Sequence, residues 1–234
     1  MPWTVELSEV EVFDAERRRE IVEHLFALRE WWTLRGGFHT LGCACYLDGK
    51  SRAGLDERVP PSNELLLDYF GRSLEDVRSF VASAVGLEAS WRADLPLPGF
   101  HIFGANALAV GETTVIPHFD MQFYSAGYGH IESDAVLSLT IPVLMPEGGA
   151  SLDYWPIDFD GFNELRTRGA VSTVDEVQRL YPMSQVWYED GRPCMQRGLP
   201  LHRIGPSRSV RPDDYRITLQ CHAVRDGDRW IVYW

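Results

Sequence analysis

Two kinds of hydrophobic pattern divide the chain. In the first, apolar residues recur at helical spacing. Ile21, Val22, Leu25, Leu28 and Trp32 share one face behind Asp14, a candidate N-cap, and Gly36-Gly37 stops the run. After a loop rich in Gly, Pro and charge, Pro60-Pro61-Ser62 predicts the start of a second helix through Leu65, Leu66 and Tyr69. A third is expected from the capping box Ser73-Leu74-Glu75-Asp76, carrying Val77, Phe80, Val81 and Ala84 to Gly86. Such helices would cover one face of a sheet. From Pro98 the pattern changes to short β-branched and aromatic runs, at 101–110, 113–124, 137–145, 150–157, 184–197, 199–206, 215–224 and 229–234. Glu189-Asp190-Gly191-Arg192 and Arg225-Asp226-Gly227-Asp228 carry the Asp-Gly hairpin signal. A capping box from Thr173 to Glu176 opens one helix ending near Tyr181. About eight strands with one helical insertion predict a mainly β fold with α, a double-sheet jelly roll. No repeat or linker is evident in the 234 residues, so the pattern predicts a single domain, 1–234. Within it, 1–97 is the helical support region and 98–234 the jelly-roll core.

Composition narrows the class. With 45% hydrophobic residues the chain can bury a sizeable core, and a net charge of -12 opposes general nucleic-acid binding. The N-terminus lacks a basic region followed by an apolar run, and no apolar stretch approaches the roughly 20 residues a membrane helix needs. Cys43, Cys45, Cys194 and Cys221 form no Cys-x-x-Cys pair and read as thiols rather than a disulfide framework. The expectation is a cytoplasmic protein without nucleic-acid or membrane partners, its oligomeric state unknown.

His118-Phe119-Asp120 carries the first chemical signal. On a strand, residues two apart face the same way, so the imidazole and the carboxylate would enter one cavity together. A third ligand is available at His202, in LPLHRIGP. Two imidazoles and a carboxylate suit Fe(II), leaving positions open for a chelating co-substrate and O2, although zinc accepts the same groups. Arg216-Ile217-Thr218, fourteen residues after His202, separates these options. On a strand Arg216 and Thr218 would share a face. A guanidinium and a hydroxyl there can hold the far carboxylate of a dicarboxylic 2-oxo acid.

In that order of motifs, His-x-Asp, distant His and then Arg-x-Thr, the chain resembles the Fe(II)/2-oxoglutarate-dependent oxygenases. The resemblance covers roughly residues 98–234. Phe100-His101-Ile102-Phe103, the Ile116-Pro117 lead-in and the Gly148-Gly149 turn also look like those of small bacterial members. It implies a double-stranded β-helix, cupin-like, with N-terminal helices packed on one sheet. It further implies Fe(II) on His118, Asp120 and His202, with 2-oxoglutarate gripped by Arg216 and supported by Thr218. The implied reaction consumes O2, decarboxylates 2-oxoglutarate to succinate and CO2, and hydroxylates a C–H bond or oxidises it otherwise. The presence of Asp120 argues against halogenation, whose relatives lack that ligand. A small-molecule substrate is expected, because the chain carries no appended recognition domain.

Rival readings keep the metal ligands without 2-oxoglutarate, as a cupin-like dioxygenase or isomerase, or make the fold a non-catalytic binding module. His101, Gln122, Tyr124 and Trp155 are candidates for the substrate pocket, each set against a plain core role. His222 shares the parity of Arg216 and would point inward, with a structural role the simpler reading. His39 and His130 read as loop residues, and Asp153, Asp158 and Asp160 as a solvated loop. Arg208 and Arg211 compete with Arg216, but they sit in a turn-like stretch beside Pro206 and Pro212.

Overall fold

The computed structural model describes residues 3–49, 52–108 and 116–234. The runs expected at 101–110 and 113–124 lie partly outside them, at 109–110 and 113–115. The strands are β1 (Thr4–Leu7), β2 (Thr33–Arg35), β3 (Phe38–Leu41), β4 (Glu88–Ser90), β5 (Gly99–Gly104), β6 (Val136–Leu144), β7 (Ser151–Asp158), β8 (Ser184–Trp187), β9 (Cys194–Arg197), β10 (Pro200–Ile204), β11 (Tyr215–Asp226) and β12 (Arg229–Tyr233). The helices are α1 (Ala15–Ala27), α2 (Cys45–Asp48), α3 (Arg52–Val85), α4 (Gln122–Ser125), α5 (Phe159–Thr167) and α6 (Val174–Leu180). Nine strands form a sheet in the order β1-β9-β6-β11-β5-β3-β2, with β12 joined to β11 and β4 to β12. The other three form a second sheet, β10-β7-β8. All pairings are antiparallel except β12 with β4.

Alternation along the central strands gives the large sheet two unlike faces. Ile217, Leu219, Cys221 and Ala223 of β11 join Leu139 and Ile141 of β6 and Phe100 of β5 in the main core. Leu25 of α1 and Phe70, Leu74, Val77 and Val81 of α3 close that core. The intervening residues of β11 are Arg216, Thr218, Gln220 and His222. On β6 and β5 the corresponding positions are Ser138, Thr140 and His101. A polar lining is therefore written into the same strands that build the core.

Several elements differ from the sequence pattern. α1 ends at Ala27, and the chain turns through Trp32 into β2 and β3, which places His39 on a strand. α3 is one 34-residue helix with Pro60 and Pro61 inside it, where two helices were expected. Its apolar stripe runs through Leu55, Val59, Leu66, Phe70 and Leu74, all buried. The prolines lie on its exposed side, where water can serve carbonyls that lose their N–H partners. The region 1–97 also supplies four strands, which pair with one another and with β5, β9 and β12. Asp190-Gly191 is not a hairpin, since β8 and β9 belong to different sheets. Gly227 does make one, at φ 67°, as the first loop residue between Asp226 and Arg229. α5 was not anticipated; Asp158 caps it by accepting from Gly161 N at 2.8 Å. Asp153, expected in a solvated loop, is fully buried on β7 and paired with Arg203 at 3.0 Å. All four cysteines are buried, with no disulfide among the described residues. No described helix is long and apolar enough to cross a membrane.

Candidate metal centre

His118 and His202 are held opposite each other by a two-way backbone bridge. His118 N donates to His202 O at 2.8 Å, and His202 N donates to His118 O at 3.1 Å. The ring centroids lie 4.6 Å apart. Each Nδ1 faces the carbonyl of the residue two positions earlier, Ile116 at 3.0 Å and Pro200 at 2.9 Å. A carbonyl can only accept, so Nδ1 carries the proton in both rings and Nε2 is left with a free lone pair. The Nε2 atoms of His118 and His202 lie 3.7 and 3.6 Å from Asp120 Oδ1. Two donors each about 2.1 Å from a common ion stand at most about 4.2 Å apart, so both separations suit one cation. The three ligand atoms all fall within 4.8 Å of one another.

Asp120 reaches this point by a route the strand pattern did not foresee. Met121 N donates to Phe119 O at 2.9 Å, which closes a tight turn, and α4 follows at once. Within the described residues 116–124, the expected strand is instead a single bridge at His118 followed by a turn and a helix. Gln122 Nε2 donates to Asp120 Oδ1 at 3.0 Å. His222 Nδ1 lies 3.9 Å from Oδ2 and 3.0 Å from Ser138 Oγ. Burial alone would raise the Asp120 carboxyl, but His202, His222, His118 and Ser138 hold it below the usual carboxylate range. Burial lowers His202 to about 4, with Asp120 opposing, so its imidazole is neutral at ordinary pH.

His118, Asp120 and His202 line a cavity of about 250 Å³ that also contains Arg216. Arg216 is 2% exposed and lies over the rings of Tyr188 and Phe103, at 5.1 and 5.8 Å. Its Nε has no hydrogen-bond partner. Burial lowers the guanidinium, while Tyr188 acts in the opposite sense. Of the eight buried, unpartnered side-chain polar atoms among the described residues, five belong to residues of this wall: His101, Gln122, Gln196, Arg216 and Trp234. Buried polar groups are ordinarily bonded, so this concentration marks a place built for ligands. A carboxylate is the natural partner of a buried guanidinium whose Nε–H is left without an acceptor.

The predicted residues separate clearly. His118, Asp120, His202, Arg216, His101, Gln122 and His222 meet at the cavity. Thr218 is buried behind its wall, where its Oγ1 accepts from Gln220 Nε2 at 2.9 Å. Tyr124, expected in phase with the metal pair, sits on α4 and is half exposed, because a helix does not keep strand parity. Trp155 faces away from the cavity, into a separate core with Ile157, Phe162 and Leu201. Arg208 stacks on Trp187 at 3.8 Å, and Arg211 pairs with Glu147. Missed were Tyr188, Gln196, Thr140 and Gln220 on the large sheet side, and Phe38, Tyr46 and Trp234 around His101. Parity with Arg216 along β11 was available for Gln220; the others come together only in the fold.

No protein-family model matches the sequence, and no curated protein matches it significantly. Solved structures similar in fold include AviO1 from Streptomyces viridochromogenes Tue57, at 13% identity and TM-score 0.51, covering 97% of this chain and 90% of that one. HygX from Streptomyces hygroscopicus, solved with nickel and 2-oxoglutarate bound, matches at 12% identity and TM-score 0.50, covering 94% and 81%. The epimerase SnoN, solved with Fe3+, alpha ketoglutarate and nogalamycin RO, matches at 13% identity and TM-score 0.50, covering 96% and 82%. At such identities the likeness is one of fold.

Proposed function

We propose that this chain is an Fe(II)- and 2-oxoglutarate-dependent oxygenase that oxidises a C–H bond of a small molecule, with succinate and CO2 as co-products. The observation that carries this reading is the meeting, in one cavity, of a His-Asp-His donor set and a buried guanidinium with an unpaired N–H. The ligands bound in HygX and SnoN, on a similar fold, support it. We read the two sheets as a double-stranded β-helix and residues 1–234 as one working unit, in the cytosol.

When bound, Fe(II) supplies O2 activation coupled to decarboxylation of 2-oxoglutarate. His118 and His202 would hold the ion through Nε2, with the tautomers fixed by the Ile116 and Pro200 carbonyls. Asp120 would hold it as a carboxylate, steadied by Gln122 and Ser138. Arg216, backed by Tyr188, would bind the distal carboxylate of 2-oxoglutarate. Thr218 would act at one remove. Thr140 Oγ1 donates to Gln220 Oε1 at 3.0 Å, and Gln220 donates on to Thr218, which orders the polar floor. A metal-dependent isomerase or dioxygenase without the co-substrate leaves Arg216 without a role.

Succinate formation tests this reading. Fe(II)-loaded protein given 2-oxoglutarate and air should form succinate slowly alone and faster with a true substrate. Arg216→Met should abolish the reaction. Succinate formation unchanged in Arg216→Met, or absent with every candidate metabolite, overturns the assignment.

A further inference from the structure

Once Asp120 is committed to the ion and Arg216 to the co-substrate, no charged side chain remains in the wall among the described residues. Arg35, whose field reaches Tyr46 and His101, is already paired with Asp48 at 2.7 Å. An ionic group brought into this space would find no further charged partner among the described residues.

What remains is aromatic and neutral. Phe38 stacks on Phe103 with centroids 4.7 Å apart and 12° between planes, and its ring meets His101 at 5.1 Å. His101 packs on Trp234 at 5.3 Å. Gly99 permits this arrangement, since a Cβ there would lie 2.1 Å from the indole of Trp234. Tyr46 presents its hydroxyl to His101 Nε2 at 2.6 Å. Three polar atoms of this neighbourhood are buried and unpaired: His101 Nδ1, Trp234 Nε1 and Gln122 Oε1. The indole nitrogen can only donate and the amide oxygen can only accept. The Tyr46–His101 pair keeps one donor and one acceptor in either tautomer. A hydroxyl both donates and accepts, so it is the group such a set best satisfies. Cavities for drug-sized ligands run from roughly 300 Å³ upward, so about 250 Å³, shared with the co-substrate, limits what enters beside it to a small group.

We infer that the part of the substrate entering this site is a single uncharged ring bearing a hydroxyl group, recognised by Tyr46, His101, Gln122 and Trp234. This deepens the oxygenase reading and rests on it. Phenols and sugars both supply such a ring, since each pairs an apolar face with neutral hydroxyls.

The Trp234 indole N–H resonance, assigned by its loss in Trp234→Phe, reports binding without turnover. Protein loaded with Zn(II) and 2-oxoglutarate is titrated with p-cresol, methyl β-D-glucopyranoside, 4-methylbenzoate and 4-methylbenzylamine, and the series is repeated on metal-free protein. At least one neutral ring should shift the resonance saturably, with the charged rings at least about tenfold weaker, and whichever neutral ring binds more tightly identifies the source. Tyr46→Phe should weaken the neutral ring by about tenfold. Charged rings binding as tightly as neutral ones, or no neutral ring moving the resonance, overturns the inference. Failure of the oxygenase reading shows separately, as 2-oxoglutarate failing to bind in its own titration.

Discussion

The two faces of β11 place opposite chemistry on one strand. Ile217, Leu219, Cys221 and Ala223 are buried against α1 and α3 among other apolar side chains. Arg216 and His222 are buried as well and Gln220 is half-buried, yet all three belong to a cavity wall with unpaired polar atoms. Burial is common to both faces. What differs is whether the chain satisfies its own side chains, and where it does not, a ligand is called for. The first face should therefore govern stability and the second should govern binding.

The largest effect of a single substitution is expected on the apolar face. Leu219→Ala should cost about 2–5 kcal/mol of unfolding free energy, read by chemical denaturation, while the folded fraction binds metal and 2-oxoglutarate as before. A loss of ligand affinity without a loss of stability would erase the distinction between faces. Acid should act on the cavity face. Burial lowers His101 to about 3 and His202 to about 4, and it lowers His222 as well. The unfolded chain takes up these protons near pH 6.5 and the folded chain does not, so stability falls as pH drops from about 6.5 toward 4. The loss should be on the order of 1 kcal/mol per imidazole per pH unit in metal-free protein. Asp120 acts in the same sense, its contribution vanishing only as pH falls through its depressed value. Unfolding curves that stay flat over that window would mean that the imidazoles are not buried as neutral groups.

Arg216→Met removes the charge and keeps the volume. It should lower 2-oxoglutarate affinity about 100-fold, close to 3 kcal/mol, and leave thermal stability unchanged or raised. The smallest effect is expected from Gln122→Leu, which removes the hydrogen bond to Asp120 Oδ1. Metal affinity should drop about tenfold, measured by competition with a chelator. An unchanged affinity would make Gln122 a substrate contact only.

Strands whose two faces both meet protein were legible from the sequence. β6, β7, β10, β11 and β12 fall where apolar alternation and turn residues predict them, because local pattern and tertiary burial agree there. The convergence of His118 and Asp120 was also foreseen, but for the wrong local reason. Strand parity suggested it, and the turn at Phe119–Met121 produces it. The same substitution of turn and helix for strand carried Tyr124 out of the site. Pro60 and Pro61 misled the helix pattern because their break is local, whereas the stripe is buried along the whole helix, Leu55 and Val59 in one core and Leu66 to Val81 in another. Trp234 and Tyr46 had no readable signal, since only long-range pairing through β3, β5 and β12 brings them to His101.

Anaerobic calorimetric titration of 2-oxoglutarate into Fe(II)-loaded protein tests the metal-plus-guanidinium claim most directly. One molecule should bind per chain, with binding lost in His202→Ala and weakened about 100-fold in Arg216→Met. Full-strength binding in either variant, or none in the unmodified protein, would contradict it.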